Sequence, residues 1–262
     1  MLRVPALSPW DERASRLLLP TGRGEDLRQV VCRVRGVQIE MTDRSKADPK
    51  ERIGEIIVIL RKTYPDAKVT LDFRTPHELM VAAILAAQCT DERVNMTTPA
   101  LFAKYPNVEA FANADSAELE EIVRPTGFFR NKTKAIIESA RQIVQDYGGK
   151  VPDSIDELVK LSGVGRKTAN LIVGDAYGQL AVIVDTHVIR VSQRLGLTLQ
   201  KDPGKIEIDL RALLPEDEMT HFNHLIVAHG RAICKAPTPI CAICPLLELC
   251  PFGQERMKGK VV

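Results

Sequence analysis

From Asp48 to Ile233, apolar residues return at three- and four-residue spacing in segment after segment, with only short polar or glycine-bearing breaks between them. That period belongs to helices with one buried face, whereas strands repeat every two residues. Alternation is confined to short stretches near 34–40 and 180–184. The pattern predicts helices over 49–63, 76–88, 91–104, 107–113, 116–123, 129–147, 153–161, 166–177, 186–195, 203–213 and 217–233, and therefore an all-α fold. Local signs agree: Ser116, with acids behind it, reads as a helix cap, and two glycines close the longest segment.

A chain of 262 residues can bury one large core or two modest ones. No run of about 18 apolar residues occurs, and no charged segment leads into an apolar one at the start. A protein of the cytoplasm is expected. The first 45 residues hold eight arginines and no lysine, while all fifteen lysines fall from Lys46 onward. This break marks residues 1–45 as an extension outside the core, with Met41 the expected natural start. Asp11, Glu12, Glu25 and Asp26 argue against an organellar transit peptide, which is poor in acids. The net charge of +2 decides nothing about nucleic acid, so the placement of charge must.

Four of the six cysteines, Cys234, Cys241, Cys244 and Cys250, fall within seventeen residues. In a chain without an export signal, such crowding reads as a metal site. The intervals of six, two and five residues do not match the paired C-x2-C arms typical of structural zinc, although zinc stays open as an alternative. Cys32 and Cys89 stand apart and read as idle thiols.

The stretch "LSGVGRKTANLIVGDA" ends one helix at Leu161, turns through Gly163 and Gly165, and starts another at Arg166. Glycine at both corners permits positive φ and close approach to a partner. The unpaired N–H groups of the second helix's first turn then suit an anion such as a DNA phosphate. An ordinary helix corner would explain the glycines equally well. It does not explain Lys167, a cation set against the positive end of a helix dipole. Asp185 in "VDTHVIRV" stands at the cap of the next helix, where capping and chemistry are equally good reasons for a carboxylate.

Taken together, "LSGVGRKTAN", "VDTHVIRV" and C-x6-C-x2-C-x5-C, in that order, resemble the endonuclease III branch of the helix-hairpin-helix DNA glycosylases, from about residue 50 to 252. The resemblance implies a two-lobed fold: a helical barrel lobe over 69–180, and an iron–sulfur lobe joining 46–68 to 181–252, with 253–262 as a tail. It also implies a [4Fe–4S] cluster on Cys234, Cys241, Cys244 and Cys250, thiolates being the usual holders of such clusters. The implied activity is a bifunctional glycosylase and abasic-site lyase acting on oxidised pyrimidines in double-stranded DNA, by a monomer associated with a bacterial nucleoid.

By the same resemblance, Lys167 attacks C1′ of a flipped-out nucleotide and Asp185 assists. The attack needs a neutral amine, and an ordinary lysine is neutral in roughly one copy in 2,500 at pH 7. Burial, the helix N-terminus and Arg166 are expected to favour neutrality, with Asp185 opposing. Flipping leaves a gap in the stack. Gln88 matches the family's inserting glutamine, and Phe128 stands where many members carry a leucine wedge. Gly163, Val164, Gly165, Arg166 and His187 are the remaining implied DNA contacts. Arg124, Arg130, Lys132 and Lys134 near the wedge, with Arg190 and Arg194 near the catalytic pair, are expected to add to a basic patch. Two alternatives stay open: an adenine-mispair glycosylase, and a non-catalytic DNA-binding module.

Overall fold

The structure, a computed structural model, describes residues 30–34, 37–41 and 44–259. Most of the 1–45 extension lies outside these residues, and nothing in them tests the expectation of a start at Met41. Within the extension, Val30–Val34 and Val37–Met41 pair as an antiparallel hairpin, the only strands among the described residues. All other regular structure is helical. The helices are α1 (Pro49–Thr63), α2 (Pro76–Leu85), α3 (Asp91–Lys104), α4 (Val108–Ala112), α5 (Ser116–Val123), α6 (Phe129–Tyr147), α7 (Ile155–Leu158), α8 (Arg166–Leu171), α9 (Thr186–Arg194), α10 (Pro203–Leu213), α11 (Met219–Ala232) and α12 (Pro251–Met257).

Side-chain caps fix most of the helix starts. Asp48, Thr75, Thr90, Asn107, Asp115, Asp185 and Asp202 each accept a bond from a backbone N–H in the first turn. The cap of α5 is thus Asp115 rather than Ser116, because its carboxylate reaches the amide of Glu118 at 2.9 Å. The stretch 153–161 is helical only over α7, and the one expected to run to residue 177 leaves α geometry after Leu171, passing into π geometry over Ile172–Ala176. Residues 253–262, expected as a tail, begin inside α12, which the Cys250 sulfur caps by accepting from the Gly253 amide.

Apolar side chains are buried in two separate clusters. One, built from α2 to α8, includes Leu79, Met80, Leu101, Phe111, Ile136 and Ile143. The other unites α1 with the later helices through Ile56, Leu60, Val188, Val191, Phe222 and Ile226. The chain therefore leaves its second core after α1 and returns to it only at Val182. Arg52 of α1 reinforces that return. It is 4% exposed and donates to the carbonyls of Ala47, Leu195 and Leu249 at 2.9, 2.9 and 2.6 Å.

Candidate active site

The hairpin between α7 and α8 uses its two glycines differently. Gly163 has φ +76°, and a Cβ there would lie 2.7 Å from that of Ala135 on α6. Both the turn and the close packing require glycine. Gly165 does not share the positive φ expected of it: it sits at φ −90°, ψ 174°, and an added Cβ would meet nothing within 4 Å. Its bareness leaves the corner open to a partner. Val164 between them is buried.

Lys167, in the first turn of α8, and Asp185, the cap of α9, line the same cleft of about 260 Å³ between the two cores. Thr70, Ala86, Asp91, Asn223, His224 and Arg231 are among the other residues that line it. Asp185 uses one oxygen, Oδ1, to cap both the His187 and Val188 amides at 2.8 Å. Capping and a role in the cleft are therefore compatible. Lys167 is exposed, so the burial expected to favour its neutral amine is missing from the free protein. Arg166 does not face it as a free charge either. Its guanidinium grips buried Glu207 of α10 at 2.9 and 3.1 Å, and Asn170 donates to the same carboxylate at 3.1 Å. Glu207 thus moors the first turns of the lysine helix to the second core.

His187 is half-buried, and its Nδ1 accepts from Arg190 at 3.1 Å, which leaves the ring proton on Nε2. Burial holds its pKa below the ordinary histidine value. Asp185 opposes that effect, while Arg190, Arg231 and Lys167 add to it. Asp91 and Arg231, passed over in the sequence, bridge the cleft through a 2.9 Å bond. Asp91 also accepts from Thr70 at 2.5 Å. Burial, the largest influence on Asp91, raises its pKa, but Thr70, Arg231 and Lys167 together hold it below the usual carboxylate range. No local motif marks this pair, since its members lie 140 residues apart.

Gln88 and Phe128 are exposed, Phe128 by 62%. They are the only non-glycine residues with positive φ among the described residues, at +55° and +47°. The expected basic patch is smaller than the sequence suggests. Lys132 is buried, Arg190 donates to the carbonyls of Cys234 and of Gly230 in α11, and Arg194 donates to those of Lys235 and Pro237. Arg124 pairs with Glu121, Lys134 with Glu138. Lys132, Arg190 and Arg194 meet acceptors that only the tertiary fold brings near, whereas the Arg124 and Lys134 pairs are three and four residues apart.

The four clustered cysteines ring an enclosed cavity closed by Val191, Arg194, Leu195, His229, Ile233, Leu247 and Phe252. None of the four is in a disulfide. Among the described residues no three His, Cys, Asp or Glu side chains converge on a single metal ion. The cavity between the sulfurs, with its soft donors, suits a larger thiophilic group. Burial pushes the thiol of Cys244 up to about 12 and that of Cys250 up to about 11, with the neighbouring cysteines adding to it. Thiolates here require a cationic core to hold. Hydrogen bonds are already aimed at the sulfurs: Arg194 to Cys234 at 3.4 Å and Gly253 N–H to Cys250 at 3.3 Å.

A glycine hairpin feeding a lysine-bearing helix, with a capping aspartate across the same cleft, defines a helix-hairpin-helix protein. Residues 81–216 match the model of the HhH-GPD superfamily of base excision DNA repair proteins. The chain is 52% identical to the endonuclease III of Synechocystis sp. over 80% of its own length and 97% of that protein. For the endonuclease III of Bacillus subtilis the identity is 46%, covering 76% of this chain and 91% of that protein. Among solved structures, a non-covalent endonuclease III–DNA complex superposes with TM-score 0.75 at 41% identity, covering 80% and 98% of the two chains. A trapped endonuclease III–DNA covalent intermediate gives 0.75 at 42%, covering 79% and 98%. The chain belongs to the endonuclease III family. Among the described residues no helix is long and apolar enough to cross a membrane.

Proposed function

We propose that this protein is a bifunctional DNA glycosylase and abasic-site lyase that removes oxidised pyrimidines from double-stranded DNA. The observation that carries the reading is the shared cleft of Lys167 and Asp185, in a chain 42% identical to a protein trapped covalently on DNA. A damaged nucleotide turned into this cleft presents C1′ to the Lys167 amine. Attack there breaks the glycosidic bond, the base departs with a proton, and the opened sugar remains on Nζ as a Schiff base. Loss of a C2′ proton then expels the 3′ phosphate by β-elimination. Asp185 stabilises the positive charge that develops on the sugar. Because Lys167 is exposed in the free protein, bound DNA supplies the desolvation that its amine needs.

Gln88 and Phe128 fill the gap left in the stack, and Gly163, Val164, Gly165 and His187 lie along the DNA face. Arg166 serves that face mainly by fixing α8 through Glu207. The four cysteines would hold a [4Fe–4S] cluster, and their thiolates would close residues 234–250 into a loop around it. Residues 69–180 form the barrel lobe, and 46–68 with 181–252 the cluster lobe. We place the enzyme in a bacterial cytoplasm.

The adenine-mispair alternative requires a catalytic glutamate in the helix before Gln88. The acid that α2 does carry, Glu78, lies in its first turn, pairs with Arg74 at 2.9 Å and does not line the cleft. The decisive experiment incubates the protein, its cluster intact, with a duplex holding one thymine glycol, with and without borohydride. A covalent adduct and a nicked strand are expected, with the adduct lost in Lys167→Gln while DNA binding persists. Binding without adduct or nick in the unsubstituted protein would overturn the enzymatic reading.

A further inference from the structure

Lys132 is a buried charge that the chemistry above does not use. It is 5% exposed, in the first turn of α6, and neither acceptor of its Nζ is a carboxylate. Its Nζ donates to the Leu85 carbonyl at 2.8 Å and to the Thr126 carbonyl at 2.7 Å. Leu85 ends α2, three residues before Gln88, and Thr126 ends the 3-10 turn two residues before Phe128. Both carbonyls sit where a helical segment runs out of amide donors. The amide of Cys89, which a continuing helix would send to Leu85, goes to Ala86 at 3.1 Å instead.

The two segments joined in this way carry the two strained residues. Left-handed backbone in a glutamine or a phenylalanine persists only where its surroundings over-determine it. One ammonium grips the carbonyl just upstream of each. We propose that Lys132 is a positioning residue that locks the Gln88 and Phe128 loops into one rigid pair, so that both side chains enter the DNA stack together. The proposal rests on the glycosylase reading above. Lys132 touches neither DNA nor the reacting atoms. Burial lowers the pKa of its amine, with Cys89 opposing, so the charge is held by the carbonyls it binds rather than by solvent.

The test compares Lys132→Met and Lys132→Arg with the unsubstituted protein in three measurements. Single-turnover excision of thymine glycol from a duplex needs insertion, whereas nicking of a single-stranded oligonucleotide with an abasic site does not. The fluorescence of 2-aminopurine opposite the lesion reports insertion directly. For Lys132→Met, duplex excision and the 2-aminopurine signal should fall by about 10²-fold, the order expected for roughly 1 Å of misplacement. Single-strand nicking should stay within about threefold. Added to Gln88→Ala/Phe128→Ala, the substitution should cost nothing further, since interacting residues are not additive. Lys132→Arg, which keeps the charge in case the methionine variant fails to fold, should show the same split in smaller measure. Equal losses on both substrates, or full additivity with the double variant, would make Lys132 merely structural and overturn the proposal. No borohydride adduct from the unsubstituted protein would instead sink the glycosylase reading, and this inference with it.

Discussion

Replacing Glu207 by glutamine tests whether the lysine helix is held from the second core. The carboxylate is 4% exposed and accepts four bonds: Arg166 at 2.9 and 3.1 Å, Asn170 at 3.1 Å and Arg211 at 3.2 Å. An amide offers one acceptor oxygen and turns an NH2 toward donors, so about half of these bonds are lost and the rest cease to be charge-assisted. The Arg166 side chain is 57% exposed and rehydrates easily. Asn170 is 1% exposed and cannot, which alone costs about 1–3 kcal/mol. With weakened bonds to the arginines, the total is roughly 2–4 kcal/mol, or about 5–15 °C in Tm for a protein of this size. Burial, the largest influence on Glu207, raises its pKa, but Arg166, Asn170 and Arg211 together bring it below the ordinary glutamate value of 4.5. The unfolded chain therefore takes up the proton first. The carboxylate's contribution is complete above pH 4.5 and disappears as pH falls through the lower folded value. Thermal melts followed at 222 nm should show the full deficit of Glu207→Gln at pH 7 and a shrinking one below pH 4.5. A Tm change under about 2 °C at pH 7, or a deficit independent of pH, would refute the argument.

Gln88→Gly should raise stability by up to about 1 kcal/mol by relieving a positive φ, while lowering excision from duplex DNA; paired melts and single-turnover rates check both. Arg52→Met strands the buried carbonyls of Leu195 and Leu249 and should cost at least about 2 kcal/mol, read from urea midpoints. His77 is buried against Phe111, and burial lowers its pKa from 6.5 to about 4, against the opposing pull of Glu78 and Glu109. Stability should therefore fall as pH drops from 6.5 toward 4, because the unfolded chain binds the proton the folded one refuses, and His77→Phe should flatten that slope in denaturation curves. Metal analysis should find iron and sulfide in equal amounts, and extracting them should remove hydrogen-exchange protection from residues 182–257 before the core of α2 to α8; zinc in their place would contradict the cluster assignment.

Helices whose ends carry their own signals were readable from the chain. Those over 49–63, 91–104, 116–123, 129–147 and 203–213 have the expected bounds, since side-chain caps start four of them and Gly148 ends α6, whose start carries no side-chain cap. Short turns were not readable, nor was α12, whose cap is the Cys250 sulfur rather than a residue with a known capping preference. The π segment after Leu171 escaped for a related reason, because an α-helical pattern cannot announce where its own geometry relaxes. Within the cleft, Lys167 and Asp185 stood out through motif and resemblance. Asp91 and Arg231 did not, since nothing local distinguishes an aspartate at a helix start or an arginine at a helix end from ordinary dipole partners. Lys132 shows the same limit from the other side. A lysine on a helix reads as solvated until the fold places two spent helix ends around it.

The return of the chain to its second core at Val182 governs how the protein emerges from the ribosome. The apolar face of α1, with Ile53, Ile56, Ile57 and Leu60, leaves the exit tunnel early, but partners such as Val188 follow roughly 130 residues later, on the order of ten seconds at ordinary elongation rates. The core of α2 to α8 can close during that interval, because all its members lie between Leu71 and Ala181. Until α9 to α11 appear, α1 is a greasy helix without a home, and a nascent chain stalled before them is the form most exposed to chaperones and proteases.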